Sequence, residues 1–138
     1  EVNQGTLRHQ RPVNGPLRFA LDTVDLNFAV KDRPDFAYPV QAIRFGNDVT
    51  LIALGTEVVV DYSLRLKSEL SRPEGPAIWV AGYSNVYSGY IPSRRVLLEG
   101  GYEARSRPWH PDLEERIVKK VHDIVGQLKV TRDERPED

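Results

Sequence analysis

The apolar positions of the chain fall into short runs separated by turns, and their spacing predicts strands followed by helices. Residues 17–28 mix large apolar side chains with a threonine, which favours an extended strand. Two further runs, 40–45 and 49–54, flank Gly46-Asn47-Asp48, a short loop of residues that tolerate positive φ. This arrangement predicts a β-hairpin, and residues 31–39, with two prolines and several charges, are interpreted as the connection before it.

A strand, a helix and a second strand are predicted next. The nearly continuous apolar run at 49–54 is typical of a central strand that is covered on both faces. From Glu57 onward the apolar residues recur at three- and four-residue steps, which predicts a helix with Thr56 as its cap. After a break rich in proline, residues 77–82 predict a second buried strand. The order strand, helix, strand predicts a parallel right-handed crossover.

The last predicted element is an amphipathic helix near the carboxyl terminus. Its apolar stripe consists of Leu113, Ile117, Val118, Val121, Ile124, Val125 and Leu128. Pro111 is expected in its first turn, with Glu114 and Glu115 near its positive end. The predicted fold is therefore α/β: a mixed sheet with a hairpin and a parallel strand-helix-strand crossover, plus a carboxy-terminal amphipathic helix. One domain is expected over 17–130, between a flexible arm at 1–16 and a disordered tail at 131–138.

Composition narrows the possible partners. Nineteen basic and twenty acidic residues give a formal net charge of -1, so nucleic acid is not expected as a partner. The chain has no cysteine, so any metal must be held by nitrogen and oxygen ligands. No apolar run approaches the roughly 20 residues that span a bilayer, so no transmembrane segment is expected. The chain begins at Glu1 and contains no methionine, which suggests that the gene product starts upstream.

Two segments are candidates for chemistry because they follow the two predicted parallel strands. Glu57 is expected in the first turn of a helix, where the dipole favours an ionised carboxylate, and residues 83–90 form a loop rich in hydroxyl groups. A carboxylate beside phenols can coordinate a cation or accept a proton. In the alternative interpretation, Glu57 is only a favourable charge at a helix start and the loop is only a surface connection.

Three blocks of sequence, in this order, carry a resemblance to a known family. They are Leu54-Gly55-Thr56-Glu57-Val58-Val59 continuing to Leu64-Arg65-Leu66, Ala81-Gly82-Tyr83-Ser84-Asn85-Val86-Tyr87-Ser88-Gly89-Tyr90-Ile91-Pro92-Ser93, and Glu99-Gly100-Gly101-Tyr102-Glu103. The chain resembles the neutral/alkaline non-lysosomal ceramidase family, in the carboxy-terminal part of the catalytic domain and in bacterial-type members.

The resemblance implies roles for three residues. Glu57 stands at the position of the family's glutamate ligand to the catalytic zinc, and Tyr90 at that of its tyrosine ligand. Tyr102 stands where a tyrosine lies beside the scissile amide and is the implied catalytic residue. The family's two histidine ligands and its catalytic serine lie upstream of the glutamate. His9, the one histidine before Glu57, is interpreted as a solvated residue of the arm, and no histidine of the chain is assigned as a ligand.

The resemblance implies a fragment of a zinc-dependent amidohydrolase that cleaves the N-acyl amide bond of ceramide or a related N-acyl lipid. Its implied partners are a ceramide-like lipid and the upstream part of the catalytic domain, and the isolated chain is expected to be inactive. The family suggests a secreted or periplasmic location, which the sequence itself leaves undecided. Two alternatives stay open: a non-catalytic α/β interaction or ligand-binding module, and an unrelated α/β domain in which the three residues lie on different faces.

Overall fold

The computed structural model describes residues 12–128, which form a four-stranded sheet, a separate strand pair and four helices. In chain order the elements are β1 (Leu17–Leu26), β2 (Phe36–Phe45), β3 (Val49–Leu54), β4 (Glu57–Val58), α1 (Val60–Leu70), β5 (Ala77–Ala81), β6 (Tyr90–Ile91), α2 (Arg94–Glu99), α3 (Tyr102–Arg105) and α4 (Leu113–Gln127). Residues 1–11 of the arm predicted at 1–16, and the tail predicted at 131–138, lie outside the described residues. None of the described helices combines the length and apolar character needed to cross a membrane.

The sheet has the strand order β1-β2-β3-β5. The first three strands are antiparallel neighbours, and β3 runs parallel to β5, so the predicted hairpin, the parallel pairing of the crossover strands and the mixed sheet are confirmed. Gly46 has a φ of 53° in the hairpin loop, as its sequence indicates. The predicted connection at 31–39 is too long, because β2 begins at Phe36 and pairs with β1 from Leu26↔Phe36 onward. Two prolines near the start of this strand concealed its first residues.

Helices α1 and α4 cover one face of the sheet. Their buried side chains pack on every second residue of the strands, as the alternation of a half-buried strand requires. The largest fully buried side chains are Tyr38, Tyr62, Leu26, Ile52, Leu54, Leu66, Ile91, Leu113, Ile117, Ile124, Val40 and Val121. The carboxy-terminal helix is confirmed at Leu113–Gln127, and Pro111 precedes its cap residue Asp112 rather than lying in its first turn.

One arginine joins the two covering helices. Arg65 of α1 lies 2.9 Å from Glu114 and 2.7 Å from Glu115 of α4, and it also pairs with Glu69 one turn along its own helix. Hydrogen bonds from Arg65 are the largest cause that holds the pKa values of Glu69 and Glu115 below the ordinary carboxyl value. The two acidic residues at the start of α4 therefore serve to connect helices as well as to complement the helix dipole.

The start of α1 differs from its prediction. Glu57 lies in β4, which pairs in parallel with β6, and the helix begins only at Val60. Its cap residue is Val59, which makes no side-chain capping bond, so Thr56 is not the cap. The backbone N–H groups of Thr56 and Glu57 donate to carbonyls of Val86 and Gly89 instead of entering a helix. The expectation that a helix dipole acts on Glu57 was therefore wrong.

Strand β5 is an edge strand, and its burial was overestimated. Ile78 points to the helix face and is buried, but Trp79 on the opposite face is 59% exposed. Within residues 12–128, helices cover only one face of the sheet. Strand β3 was predicted to be covered on both faces, and within these residues only the face toward the helices is covered by them.

Candidate active site

The two predicted metal ligands are brought together by the strand pair β4–β6. Glu57 and Tyr90 are directly opposite partners in this pair. Their contact is fixed by backbone hydrogen bonds on both sides, from Glu57 N to Gly89 O at 3.0 Å and from Val59 N to Ile91 O at 3.2 Å. The pair lies just beyond the carboxyl ends of the parallel strands β3 and β5, where α/β sheets place their ligands.

Tyr102 reaches the same place from the start of α3. Its ring packs edge-on against the ring of Tyr90, with centroids 5.5 Å apart and an interplanar angle of 83°. Tyr102 is 76% exposed, so its hydroxyl is accessible to a ligand. The structure therefore gathers all three residues at one edge of the molecule. The alternative in which they lie on different faces does not describe this chain.

The Glu57 carboxylate contributes to the raised pKa values of two neighbouring phenols. A hydrogen bond from the Tyr83 hydroxyl to Glu57 is the largest cause that raises the pKa of Tyr83 to about 12. Partial desolvation, followed by the negative charge of Glu57, raises the pKa of Tyr90 as well. Without a cation, both phenols stay protonated at neutral pH, and their hydroxyl groups can donate hydrogen bonds.

Backbone strain is concentrated at this edge. Among the described residues, the non-glycine residues with positive φ are Asp32 and three at the site: Thr56 (57°), Tyr83 (54°) and Asn85 (64°). A left-handed conformation costs an L-residue about 1–2 kcal/mol, and a β-branched residue such as Thr56 adopts it rarely. Strain of this kind clusters at functional sites, where the surrounding structure holds it in place.

Buried aromatic side chains hold the backbone of the site from beneath. Tyr38 donates to the carbonyl of Gly55 at 2.8 Å, Tyr62 to that of Pro92 at 3.1 Å, and Trp109 Nε1 to that of Tyr90 at 3.0 Å. Both tyrosines are fully buried and Trp109 is 3% exposed. A buried aromatic with a polar tip needs a hydrogen-bond partner, and here the partners are the segments that carry Glu57 and Tyr90.

A cleft of ≈ 470 Å³ opens beside Glu57 and Tyr90. Its wall includes Asp61, Arg95, Glu99 and Glu103, so it is predominantly acidic. Arg95 pairs with Asp61 at 2.9 Å and with Glu99 at 2.5 Å, and Ser93 also donates a hydrogen bond to Asp61. These bonds, the one from Arg95 first, lower the pKa of Asp61. Arg95 thereby offsets two carboxylates of the wall and leaves an acidic cleft next to the candidate ligands.

The described residues do not by themselves fit a zinc site. Residues 12–128 contain no group of three or more His, Cys, Asp or Glu residues arranged to hold a metal ion. His110 and His122 contact Asp112 and Glu69 instead, and His9 lies outside the described part. Glu57 and Tyr90 supply two oxygen donors, whereas a catalytic zinc takes three protein ligands. The pair is therefore at most part of a zinc centre.

The fold is similar to that of part of a ceramidase. Neutral ceramidase from Pseudomonas aeruginosa matches with a TM-score of 0.65 and 17% sequence identity, over 91% of this chain and 31% of that chain. A ceramidase complexed with C2 matches with a TM-score of 0.53 and 22% identity, over 72% of this chain and 17% of that one. No family model and no curated protein matches the sequence. The ceramidase resemblance of the sequence is thus confirmed for the fold, and the chain spans less than a third of the first of these structures.

Sequence reasoning missed several side chains that build the site. Tyr83 was included only as part of a hydroxyl-rich loop, although Glu57 raises its pKa. Asp61 and Trp109 were given no part in the site, because neither lies in a motif with a recognisable spacing. Trp109, a tryptophan just before a predicted helix, was the one available signal in the sequence. Tryptophans are often buried, and a buried indole N–H usually needs a hydrogen-bond partner.

Proposed function

We propose that this chain is part of a zinc-dependent amidohydrolase that cleaves the N-acyl amide bond of ceramide or a related N-acyl lipid. The supporting observation is geometric: Glu57, Tyr90 and Tyr102 are far apart in the sequence and meet at one sheet edge. The sequence resemblance selects the same three residues without use of this chain's structure. The fold similarity to neutral ceramidase supports the same assignment.

In this proposal the chain supplies one side of the reaction centre. Glu57 and Tyr90 are two of the zinc ligands, and the remaining ligands come from outside residues 12–128. A bound zinc would polarise the amide carbonyl and provide an activated oxygen nucleophile. Tyr102, exposed beside Tyr90, donates a hydrogen bond to the substrate carbonyl where negative charge develops. Tyr83 orients the Glu57 carboxylate.

The raised pKa of Tyr90 gives a direct test for a cation. Desolvation, followed by the charge of Glu57, raises the pKa of Tyr90 in the absence of metal, whereas a dication beside it favours the phenolate. Zinc added to the protein that carries a complete site should therefore produce a tyrosinate absorbance band at neutral pH. The band should be absent in Tyr90→Phe and retained in Tyr87→Phe, which removes a neighbouring exposed phenol.

The activity test uses a fluorescent ceramide in the presence of zinc. The complete gene product should release the fatty acid, and Glu57→Ala should abolish turnover together with tight zinc binding. Glu99→Ala is the matched control, because Glu99 is a carboxylate of the same cleft and has no ligand role in this proposal. Tyr102→Phe should lower kcat by about 100-fold while leaving zinc binding unchanged. Normal turnover by Glu57→Ala would overturn the proposal.

A second candidate function is a module that binds a partner or an apolar ligand without turnover. The incomplete set of metal ligands within the described residues favours it for the 138-residue chain alone. That chain should bind zinc weakly and leave ceramide intact. Hydrolysis by the isolated chain, lost on Glu57→Ala, would contradict this expectation.

A further inference from the structure

A second cleft, of ≈ 350 Å³, lies at the end of the sheet remote from the candidate active site. It opens where β3 and β5 begin, whereas the candidate site lies beyond the carboxyl ends of these strands. Its volume is at the lower end of the range for small-molecule sites. No acidic residue is among the described residues that line it, so we call it the basic cleft. Its apolar wall includes Leu70, Ile78 and Val125, and its basic side chains are Arg44, Arg72 and His122.

Strand register concentrates positive charge at this end of the sheet. Arg44 lies directly opposite Arg18 of β1 and Thr50 of β3, so all three share the face that the helices cover. Like charges directly opposite each other on neighbouring strands repel and destabilise the pairing. The Nε atom of Arg18 is also buried without a hydrogen-bond partner within residues 12–128. An anion bound beside these guanidinium groups would offset their repulsion.

The two arginines of the basic cleft are held in place by neutral acceptors. Arg44 donates through Nε to the carbonyl of Gly46 at 3.1 Å, and a second bond goes to the side-chain oxygen of the following residue at 3.4 Å. Arg72 donates through Nη1 to the carbonyls of Glu69 at 2.9 Å and Ser71 at 2.8 Å, which caps the end of α1. A guanidinium group has five N–H donors. Each arginine is therefore oriented by these bonds and retains donors for a ligand.

A buried hydroxyl group adds a third kind of donor. Thr50 lines the basic cleft and is 1% exposed, and its hydroxyl takes part in no hydrogen bond among the described residues. A buried polar group without a partner is unfavourable, so this hydroxyl is available to a ligand. His122 contacts Glu69 through Nε2 at 2.6 Å, which orients the imidazole and places the carboxylate behind it rather than in the lining.

We propose that the basic cleft binds a small phosphate monoester, in which the phosphate is carried on a compact apolar or aromatic body. Guanidinium groups match the geometry of phosphate oxygens, and a phosphate has three oxygens to share between two arginines and the Thr50 hydroxyl. The body of the ligand packs on Leu70, Ile78 and Val125. The small volume favours a compact soluble ligand over a membrane lipid. This site is separate from the proposed amidohydrolase centre and does not depend on it.

Isothermal titration calorimetry of the full chain with phenyl phosphate at neutral pH tests the proposal. The wild type should bind one molecule saturably, and more tightly than inorganic phosphate, which lacks the apolar body. Arg44→Gln and Arg72→Gln should each weaken binding by about 10-fold or more, because each removes hydrogen bonds to a charged group. Arg105→Gln is the matched control, since it removes an exposed arginine of α3 at the other end of the sheet. Its affinity should equal that of the wild type.

Two further measurements keep the test decisive where an arginine variant fails to fold. Thr50→Val retains the shape of the side chain and favours a strand, and it should weaken binding by about 10-fold through loss of the hydroxyl. Thr23→Val, on the exposed part of β1, should not. In proton NMR spectra, the ring signal of His122, identified by its absence in His122→Gln, should shift on binding. That of His110, which lies outside the basic cleft, should stay unchanged.

The other outcomes contradict the proposal. Absence of saturable binding by the folded wild type would overturn it, and so would normal affinity in Thr50→Val together with an unshifted His122 signal. Equal weakening in Arg105→Gln would show that binding follows total charge rather than the basic cleft. Benzoate that binds as tightly as phenyl phosphate would replace the phosphate with a carboxylate. Binding to vesicles that contain phosphatidic acid, without binding of phenyl phosphate, would identify a lipid surface instead.

Discussion

The helix-covered side of the sheet and the edge that carries the candidate site are built in contrasting ways. On the covered side, regular strands and two amphipathic helices bury their apolar side chains, and Arg65 joins the helices through carboxylates. At the site edge, two-residue strands and loops hold Thr56, Tyr83 and Asn85 in left-handed conformations, with Tyr102 exposed. The contrast indicates that apolar burial on the covered side provides the folding free energy. This free energy offsets the backbone strain and the exposed side chains of the site edge.

The largest expected effect tests this division directly. Leu66→Ala removes a side chain that is fully buried between α1 and the sheet, and it should lower the free energy of unfolding by about 2–5 kcal/mol. Tyr102→Ala, at the exposed site edge, removes the edge-on ring contact with Tyr90 and should lower it by only about 0.5–1.5 kcal/mol. Urea unfolding followed by circular dichroism measures both. Similar losses in the two variants would show that the edge contributes as much stability as the core.

A smaller effect is expected from the ion pairs on the covered side. Arg65→Ala leaves Glu114, which is 8% exposed, without its guanidinium partner, and should cost about 1–3 kcal/mol at neutral pH. Lys67→Ala removes one positive charge from the same helix and should be nearly neutral. Urea unfolding at neutral pH compares the two variants.

The same ion pairs predict a pH dependence with a defined sign. The folded-state pKa values of Glu69 and Glu115 lie below the ordinary value of 4.5, so the unfolded chain binds more protons as the pH falls. The stability from these carboxylates is therefore complete above about pH 4.5 and is lost as the pH falls below it. The difference between wild type and Arg65→Ala should shrink over the same range. A difference that stays constant would mean that Arg65 acts through packing alone.

The smallest effect on stability is expected at Glu57, where the chemistry changes instead. Glu57→Gln should alter the free energy of unfolding by less than about 0.5 kcal/mol. Because the charged acceptor is lost, the pKa of Tyr83 should move from about 12 toward its ordinary value of 10.0. Tyrosinate absorbance measures the shift, and Tyr83→Phe identifies the titrating group. Glu99→Gln should leave the titration of Tyr83 unchanged, and an equal shift in that variant would rule out a specific bond to Glu57.

Regular elements could be predicted from the sequence where local chemistry dominates. The hairpin has a loop that tolerates positive φ, and α4 has an apolar stripe with a helical period over four turns, so both were located closely. The prediction for the start of α1 was wrong because Val58 and Val59 fit the spacing of a helix as well as that of a strand. Whether they extend β4 or begin a helix depends on carbonyls of Gly89 and Ile91, more than thirty residues away. Long-range backbone pairing leaves no local pattern.

The sequence by itself determined the α/β class, the central hairpin and the carboxy-terminal helix, and its resemblance to the ceramidase family implied Glu57, Tyr90 and Tyr102 as candidate residues. Only the tertiary structure decided that Glu57 lies opposite Tyr90, that Glu57 raises the pKa of Tyr83, and that no helix within residues 12–128 covers the second face of the sheet. The physical reason is the sequence separation over which each kind of interaction acts. Periodicity and turn preference act over a few neighbouring residues, whereas a site is made by hydrogen bonds and burial between segments that meet only after the chain has folded.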